Sequence, residues 1–485
     1  MTSPFKLSNT TLNLIESSIV AYDGMEFALA QFPEGRKFVV LCPFEKSAGV
    51  EGECSDLAGK ALYVGPLSAA NAAFLRAHLD WTNPSLIGLK TSAGMGDRVG
   101  LATPGHVRAV RSFAGNITPI FAQQSIREMA RTNRSPQQVM DDAIWGLFSE
   151  GWQGGFGADA DHLKTTEDID ICLAAGYTFY TIDPGAHVND LAETAKLAKL
   201  KTMTAELPEI IKPTHSGLAG RSFDFEGTRI HFDDVTLYKA AVKYGRAVVH
   251  VAGMYEHLEK SAGNKPFELE VSVDETELPT SHAEHVYVAS ELKRLGVKWV
   301  SLAPRYIGSF EKGVDYIGDV AAFKADIAGH AAIARALGPY KLSLHSGSDK
   351  FSIYPAAMKQ TKGLVHLKTA GTSYLEGLHT IAAIDPDFLK EIYIFSRGRY
   401  IIDKQSYHVS AVLVKSPEPD MVTNWVELLN QFDAREIFHV AFGSVLTNAT
   451  LYPRYMQILR DHAEEYAENL KKHFIHHLSS FVMQD

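Results

Sequence analysis

From residue 85 onward, eight short apolar runs recur at 85–94, 117–125, 155–162, 177–185, 267–275, 299–306, 341–349 and 364–372. Each ends in a polar or Gly-rich turn, and helical stretches separate them. Alternating strand and helix predicts a parallel sheet. Eight such units predict an α/β chain closed into a (β/α)8 barrel of TIM type, with its chemistry where the strands end. The barrel is expected over 85–372. A small α/β domain is expected over 1–84, from β-type runs at 37–41 and 61–64 and a helix at 71–79. Residues 186–266 read as a helical insertion, a lid or an interface, because so long a crossover exceeds an ordinary connection. Within it, 247–251 competes as a strand, which would move the count by one. Residues 373–485 read as helical.

The run ends are polar in one register: Gln123-Gln124-Ser125, Asp161-His162, Asp183-Pro184-Gly185, Asp274-Glu275-Thr276, Arg305-Tyr306, His345 to Lys350, and Lys368 to Thr372. Burial does not explain such clusters; an active-site face does. Composition excludes other classes. A net charge of −10 without a Lys/Arg block argues against a nucleic-acid partner. Three cysteines form no disulfide framework. No run of about 18 apolar residues predicts a membrane span, and residues 1–17 lack the apolar core of a signal peptide. A cytoplasmic enzyme is the expectation, with a homo-oligomer left open.

Asp161-His162 follows a stretch of small residues that lets a ligand approach the backbone. The His162 imidazole suits a metal, and the Asp161 carboxylate suits taking a proton from a hydroxyl beside that metal. His345 ends a run of the same type, so His162 and His345 are the expected metal pair among 20 histidines. The Ser346-Gly347-Ser348-Asp349-Lys350 turn can bind an anion through backbone N–H groups, with Lys350 adding charge. Gln124, Arg305 and Lys368 join Ser346, Ser348, Asp349 and Lys350 as expected substrate contacts. Strand alternation puts Glu268, Glu270, Ser272 and Asp274 on one face and Glu275 opposite, unless the strand has ended. Asp274 and Glu275 are a solvated acidic turn, a proton donor or a metal carboxylate. His366 is a core histidine or a ligand. The Gly94 to Arg98 turn lacks the spacing of a phosphate loop, and Arg98 could equally clamp a carboxylate.

With these residues assembled, the chain resembles the tagaturonate epimerase family, which interconverts D-tagaturonate and D-fructuronate. The matching stretches are Phe121 to Ser125, Gly155 to His162, Thr181 to Pro184, Val271 to Thr276, Leu344 to Pro355 and His366 to Glu376. More distantly, the barrel looks like that of class II, metal-dependent aldolases. There an Asp-His also ends the third strand, and His345-Ser346-Gly347-Ser348 is similar to their seventh-strand turn. Those enzymes carry a third metal histidine on the sixth strand, where this chain has Pro304-Arg305-Tyr306, so His366, Asp274 and Glu275 are the candidates for that place. The resemblance implies a keto-uronate substrate and a divalent metal (Zn, Mn, Ni, Co or Fe). It implies a retro-aldol route, with Asp161 as base and Glu275 as proton partner on the opposite face. A true aldolase, or a sugar-acid binding protein without turnover, are the alternatives.

Overall fold

The computed structural model describes residues 7–113, 117–369 and 371–481. Residues 1–6 of the expected first domain, Ala370 in the last expected run, and 482–485 lie outside the described residues.

Each of the eight expected runs overlaps a barrel strand: Ser92–Met95, Thr118–Ser125, Gly157–Leu163, Phe179–Ile182, Glu268–Val273, Ser301–Pro304, Lys341–Leu344 and Val365–Thr369, the first and third running one residue past the expected bounds. They pair in parallel and close, with the eighth beside the first through His366 opposite Ser92 and Lys368 opposite Gly94. Local signals set where three of the following helices begin. Ser135, Thr165 and Ser281 each accept a backbone N–H from the third helical residue, whose side chain bonds back to the cap. These reciprocal capping boxes satisfy donors that a helix start otherwise leaves open.

The 247–251 segment is not a barrel strand. It lies inside the helix Asp234–Ala262, where Leu237, Ala241, Tyr244, Val248, Val251, Tyr255 and Leu258 are buried at helical spacing. The insertion therefore supplies the helix that follows the fourth strand. Before it come the helix Leu197–Ala205 and a hairpin, Ser222–Phe225 with Thr228–His231.

At the N-terminus, five strands form one antiparallel sheet, ordered Val20–Tyr22, Met25–Phe32, Gly35–Cys42, Lys60–Gly65, Glu53–Leu57. Together with the helix Ala69–His78, the sheet packs on the helix Pro136–Ser149 of the barrel. The Phe38 ring lies 5.4 Å from Trp145, and Arg76 pairs with Asp141 at 2.9 Å. The C-terminal region is helical, mainly Thr372–Ile384, Pro386–Asp403, Phe432–Val440, Leu451–Asp461 and Ala463–Ser479. Among the described residues no helix is long and apolar enough to cross a membrane.

The last helix lies on the helix Thr103–Ser112 at very close range. A Cβ on Gly105 would stand 2.5 Å from Leu470 Cβ and 2.7 Å from the Ala467 carbonyl oxygen. Gly105→Ala is expected to force the helices apart at a cost of about 1–3 kcal/mol, the usual scale of overpacking. Thermal denaturation should show a lowered midpoint; an unchanged midpoint would mean that the pair tolerates separation.

Candidate active site

A cavity of about 300 Å³ opens where the barrel strands end. Asp161, His162, Asp274, Glu275, Arg305, His345, Ser346 and Lys368 line it. Adjacent residues of a strand point to opposite faces, yet Asp161 and His162 both reach the cavity. The backbone makes this possible: His162 has φ 54°, and the pairing of the third strand with the fourth shifts register between Ala160 and Leu163. Left-handed backbone at a non-glycine costs of order 1–3 kcal/mol and persists only where the surroundings hold it. Asp183 Oδ2 holds this one, 3.2 Å from His162 Nδ1. That contact leaves His162 Nε2 facing Asp161 Oδ1 at 3.8 Å.

His345 begins the turn after the seventh strand, and its ring centre lies 4.9 Å from that of His162. Its Nε2 meets Glu270 Oε1 at 2.6 Å and its Nδ1 meets Asp274 Oδ1 at 3.3 Å. Burial disfavours charge on His345 and Lys368 adds to that, but Asp274 and Glu270 together outweigh both, and the pKa is pushed up to about 10. Alternation had placed Glu270, Ser272 and Asp274 on one face, and all three now stand against His345.

Lys368 sits at the centre. Its Nζ lies 2.7 Å from Asp161 Oδ1, 2.9 Å from Asp159 Oδ2, 2.9 Å from Glu270 Oε1 and 2.6 Å from Thr181 Oγ1. Burial would raise the Asp161 carboxyl, but Lys368, His162 and His345 outweigh burial and hold it well below the ordinary carboxylate range. The amide of Gln123 donates to Asp161 Oδ2 at 3.1 Å. Asp161 is thus an anion on a fixed mount.

Five of the expected site residues lie elsewhere. Gln124 points out of the barrel, accepting a hydrogen bond from Arg134 at 3.0 Å, because alternation gives the inward face to its neighbour Gln123. Ser348 is buried away from the cavity wall. Asp349 turns to the C-terminal helices, 2.8 Å from His473 and 3.5 Å from Arg435, and its N–H donates to His477 Nε2. Lys350 offers no charge to a ligand: its ammonium donates to the carbonyls of Glu311, Val314 and Ser348. His366 is fully buried one layer below, with Nδ1 2.9 Å from Ser92 Oγ and Nε2 3.9 Å from Asp159. Its ring does not join those of His162 and His345; at the cavity, ligand atoms lie mutually within 4.8 Å in the group Asp161, His162 and His345 and in the group His162, Asp183 and Glu275. Arg98, buried, clamps the carboxylate of Glu128. The expected lid, 186–266, gives the cavity wall no residue.

Sequence reasoning missed other wall residues. Arg127 lies 3.0 Å from Glu275, Lys312 stands nearby, and Tyr407, His408 and Val409 reach the cavity from the C-terminal region. Strand parity could have picked Gln123 over Gln124. Nothing local marks 407–409, which arrive from far along the chain. Arg305 donates through Nη1 to the Thr276 carbonyl at 2.5 Å, while its Nε has no hydrogen-bond partner among the described residues.

The chain matches the model of UxaE, tagaturonate epimerase, over residues 15–481. It is 40% identical over 468 residues to the tagaturonate/fructuronate epimerase of Thermotoga maritima, covering 96% of this chain and 95% of that protein. The native crystal structure of the fructuronate-tagaturonate epimerase from Cohnella laeviribosi superposes with a TM-score of 0.91 at 34% identity, over 98% of each chain. A glycerol complex of the same enzyme matches equally. A barrel with this set of strand-end residues, matched over nearly its whole length, places the chain in the tagaturonate epimerase family.

Proposed function

We propose that this protein interconverts D-tagaturonate and D-fructuronate by breaking and remaking one C–C bond, with Asp161 as the base. The observation that carries the reading is a buried, charged carboxylate facing a cavity beside two imidazoles and an ammonium. The two keto-uronates differ at a carbinol carbon one bond beyond the carbon α to the ketone. That C–H is not acidic, so enolisation does not invert it. Asp161 instead takes the proton of the hydroxyl on that carbon, and the bond to the α-carbon breaks. An aldehyde and an enediolate result, with the bonding pair left on the enediolate. The aldehyde turns over, the enediolate carbon attacks its other face, and the new alkoxide takes up a proton. Glu275, on the cavity wall beside Arg127 and Lys164, is the proposed proton partner for that face. Arg305, Arg127 and Lys312 offer positive charge to the substrate carboxylate.

The donor set fits a divalent cation. Two imidazole nitrogens and a carboxylate oxygen lie mutually within 4.8 Å, a mixture suited to Zn, Mn, Co, Ni or Fe. His162 and His345 would hold it, with Asp274, which stands against His345, as the carboxylate in reach. When bound, such an ion supplies Lewis acidity to the ketone side of the substrate. Asp183 orients His162 through Nδ1, as ligand histidines are commonly oriented.

Chelator-stripped protein with metal restored is expected to interconvert the two uronates, followed by chromatography of the sugar acids. No interconversion under any of the five ions would end the reading, and release of free three-carbon fragments at the turnover rate would make the enzyme an aldolase.

Substitutions separate base from ligand. Asp161→Asn should keep the metal and lower kcat by roughly a hundred-fold or more, the scale of losing a positioned base; lost metal would make Asp161 a ligand instead. His162→Ala and His345→Ala should lose metal and activity together, by elemental analysis and assay. Glu275→Gln should lose turnover with metal content intact.

Proton competition sets the pH dependence. His345 is protonated below about pH 10, and a ligand imidazole must be neutral. Apparent metal affinity should therefore rise by at least about tenfold per pH unit between pH 7 and 9, one proton leaving His345 per ion bound and His162, whose pKa is also raised, adding to it. Titration calorimetry at several pH values checks it; a flat profile would mean that His345 is not a ligand.

A further inference from the structure

A second cluster lies on the outer flank of the barrel, where the helix His282–Arg294 packs beside the helix Val320–Leu337. Asp326 and His330 are four residues apart on the second helix and so share a face. His282 opens the first helix. Asp326 Oδ1 lies 3.7 Å from His282 Nε2 and 3.7 Å from His330 Nε2. None of the three lines the active-site cavity.

Two features show that this place is built. A Cβ on residue 329 would stand 2.4 Å from His282 Cε1 and Nε2, so Gly329 is what admits the imidazole. His330 is fully buried, yet its Nε2 has no hydrogen-bond partner among the described residues. A buried nitrogen left open in this way costs free energy unless something meets it.

The hydrogen bonds behind His330 say what would meet it. His330 Nδ1 lies 2.9 Å from His285 Nδ1, and His285 Nε2 lies 2.8 Å from Tyr340 Oη. If Tyr340 donates to His285, the proton order leaves an N–H on His330 Nε2, 3.7 Å from the nearest carboxylate oxygen and too far to bond. If His285 donates to Tyr340, His330 donates through Nδ1 and presents a bare lone pair at Nε2. The second order presents the lone pair that a cation would take. It is also the arrangement by which a protein fixes the tautomer of a ligand histidine. Burial, with His285 and His282 adding to it and the Thr280 backbone opposing, keeps the His330 ring neutral.

We propose that His282, Asp326 and His330 form a second divalent-cation site of zinc type, separate from the active site. A tetrahedral ion with bonds of about 2.0–2.1 Å separates its ligand atoms by about 3.4 Å. The 3.7 Å spacings need to close by a few tenths of an ångström. His282 must exchange one bond, since its Nε2 donates to the Asp326 carbonyl oxygen at 2.9 Å. At 28% side-chain exposure its ring has room to move, and the open side admits a water as the remaining ligand. The other oxygen of Asp326 accepts the N–H of Ile307 at 3.2 Å, two residues beyond Arg305 of the cavity wall. An ion here therefore ties two barrel helices to one wall of the active site.

The test is zinc bound per chain after chelation, Zn(II) loading and gel filtration of the full-length protein. Wild type is expected to hold one equivalent more than His282→Ala and one more than His330→Asn, and His162→Ala is expected to keep that equivalent. His330 is buried and its replacement risks the fold, so the half-buried His282 decides, with circular dichroism confirming that His282→Ala is folded. Equal zinc in wild type and His282→Ala overturns the proposal, as does His162→Ala binding none. With Co(II) in place of zinc, the intense visible bands of a tetrahedral site should appear in His162→Ala and vanish when His282→Ala is added; their persistence would also overturn it.

Discussion

An ammonium inside the barrel organises the active end of this molecule. Lys368 is almost wholly buried, and a buried cation is tolerated only with anions and hydrogen bonds around it. Asp159 and Asp161 come from the third strand, Glu270 from the fifth, and Thr181 from the fourth. One charge on the eighth strand thereby ties together the opposite side of the barrel. The tie also has a chemical consequence. It keeps Asp161 ionised in a place where burial alone would protonate it, which is the state a base needs. Structure and proposed reactivity rest on the same contacts.

The second constraint is local strain. Left-handed backbone at His162, Ser346 and Asp349 turns the third and seventh strand ends toward and around the cavity. Such positions need outside support. Asp183 supports the first through His162. The C-terminal helix supports the second turn, through His477 on the Asp349 N–H and His473 on its carboxylate. The helical region after the barrel is therefore part of the site twice over: it holds the seventh-strand turn from behind, and residues 407–409 reach the cavity itself.

Much of the fold was legible in the residues. Each barrel strand overlaps an apolar run that ends in polar groups, because a strand buried on both faces must be largely apolar and its mouth must face water and ligand. Parity along the fifth strand placed Glu270, Ser272 and Asp274 together for the same reason. The segment 247–251 misled because a short apolar run has no period of its own; in the helix 234–262 it is one part of a longer stripe. Gln124, Ser348, Asp349, Lys350 and His366 were legible as polar groups near strand ends, but not as groups facing the cavity. Gln124, Asp349, Lys350 and His366 turn instead to Arg134, to C-terminal histidines, to loop carbonyls and to Ser92, and Ser348 is buried off the wall.

The sequence by itself determined the barrel and pointed to Asp161, His162 and His345 as one centre at its strand ends, while the strand count waited on 247–251. Those follow from periodicity and from residue type at strand ends, which are local properties. Only the tertiary structure decided which neighbours share that centre. Lys368 reaches Asp161 across 207 positions of chain, and Glu270 reaches His345 across 75. Closure of the barrel sets those distances, and the bulge at His162 sets the direction of the side chains. The tertiary structure likewise turned Lys350 and Asp349 inward to carbonyls and C-terminal histidines, since a buried charge takes the nearest partner the packing provides.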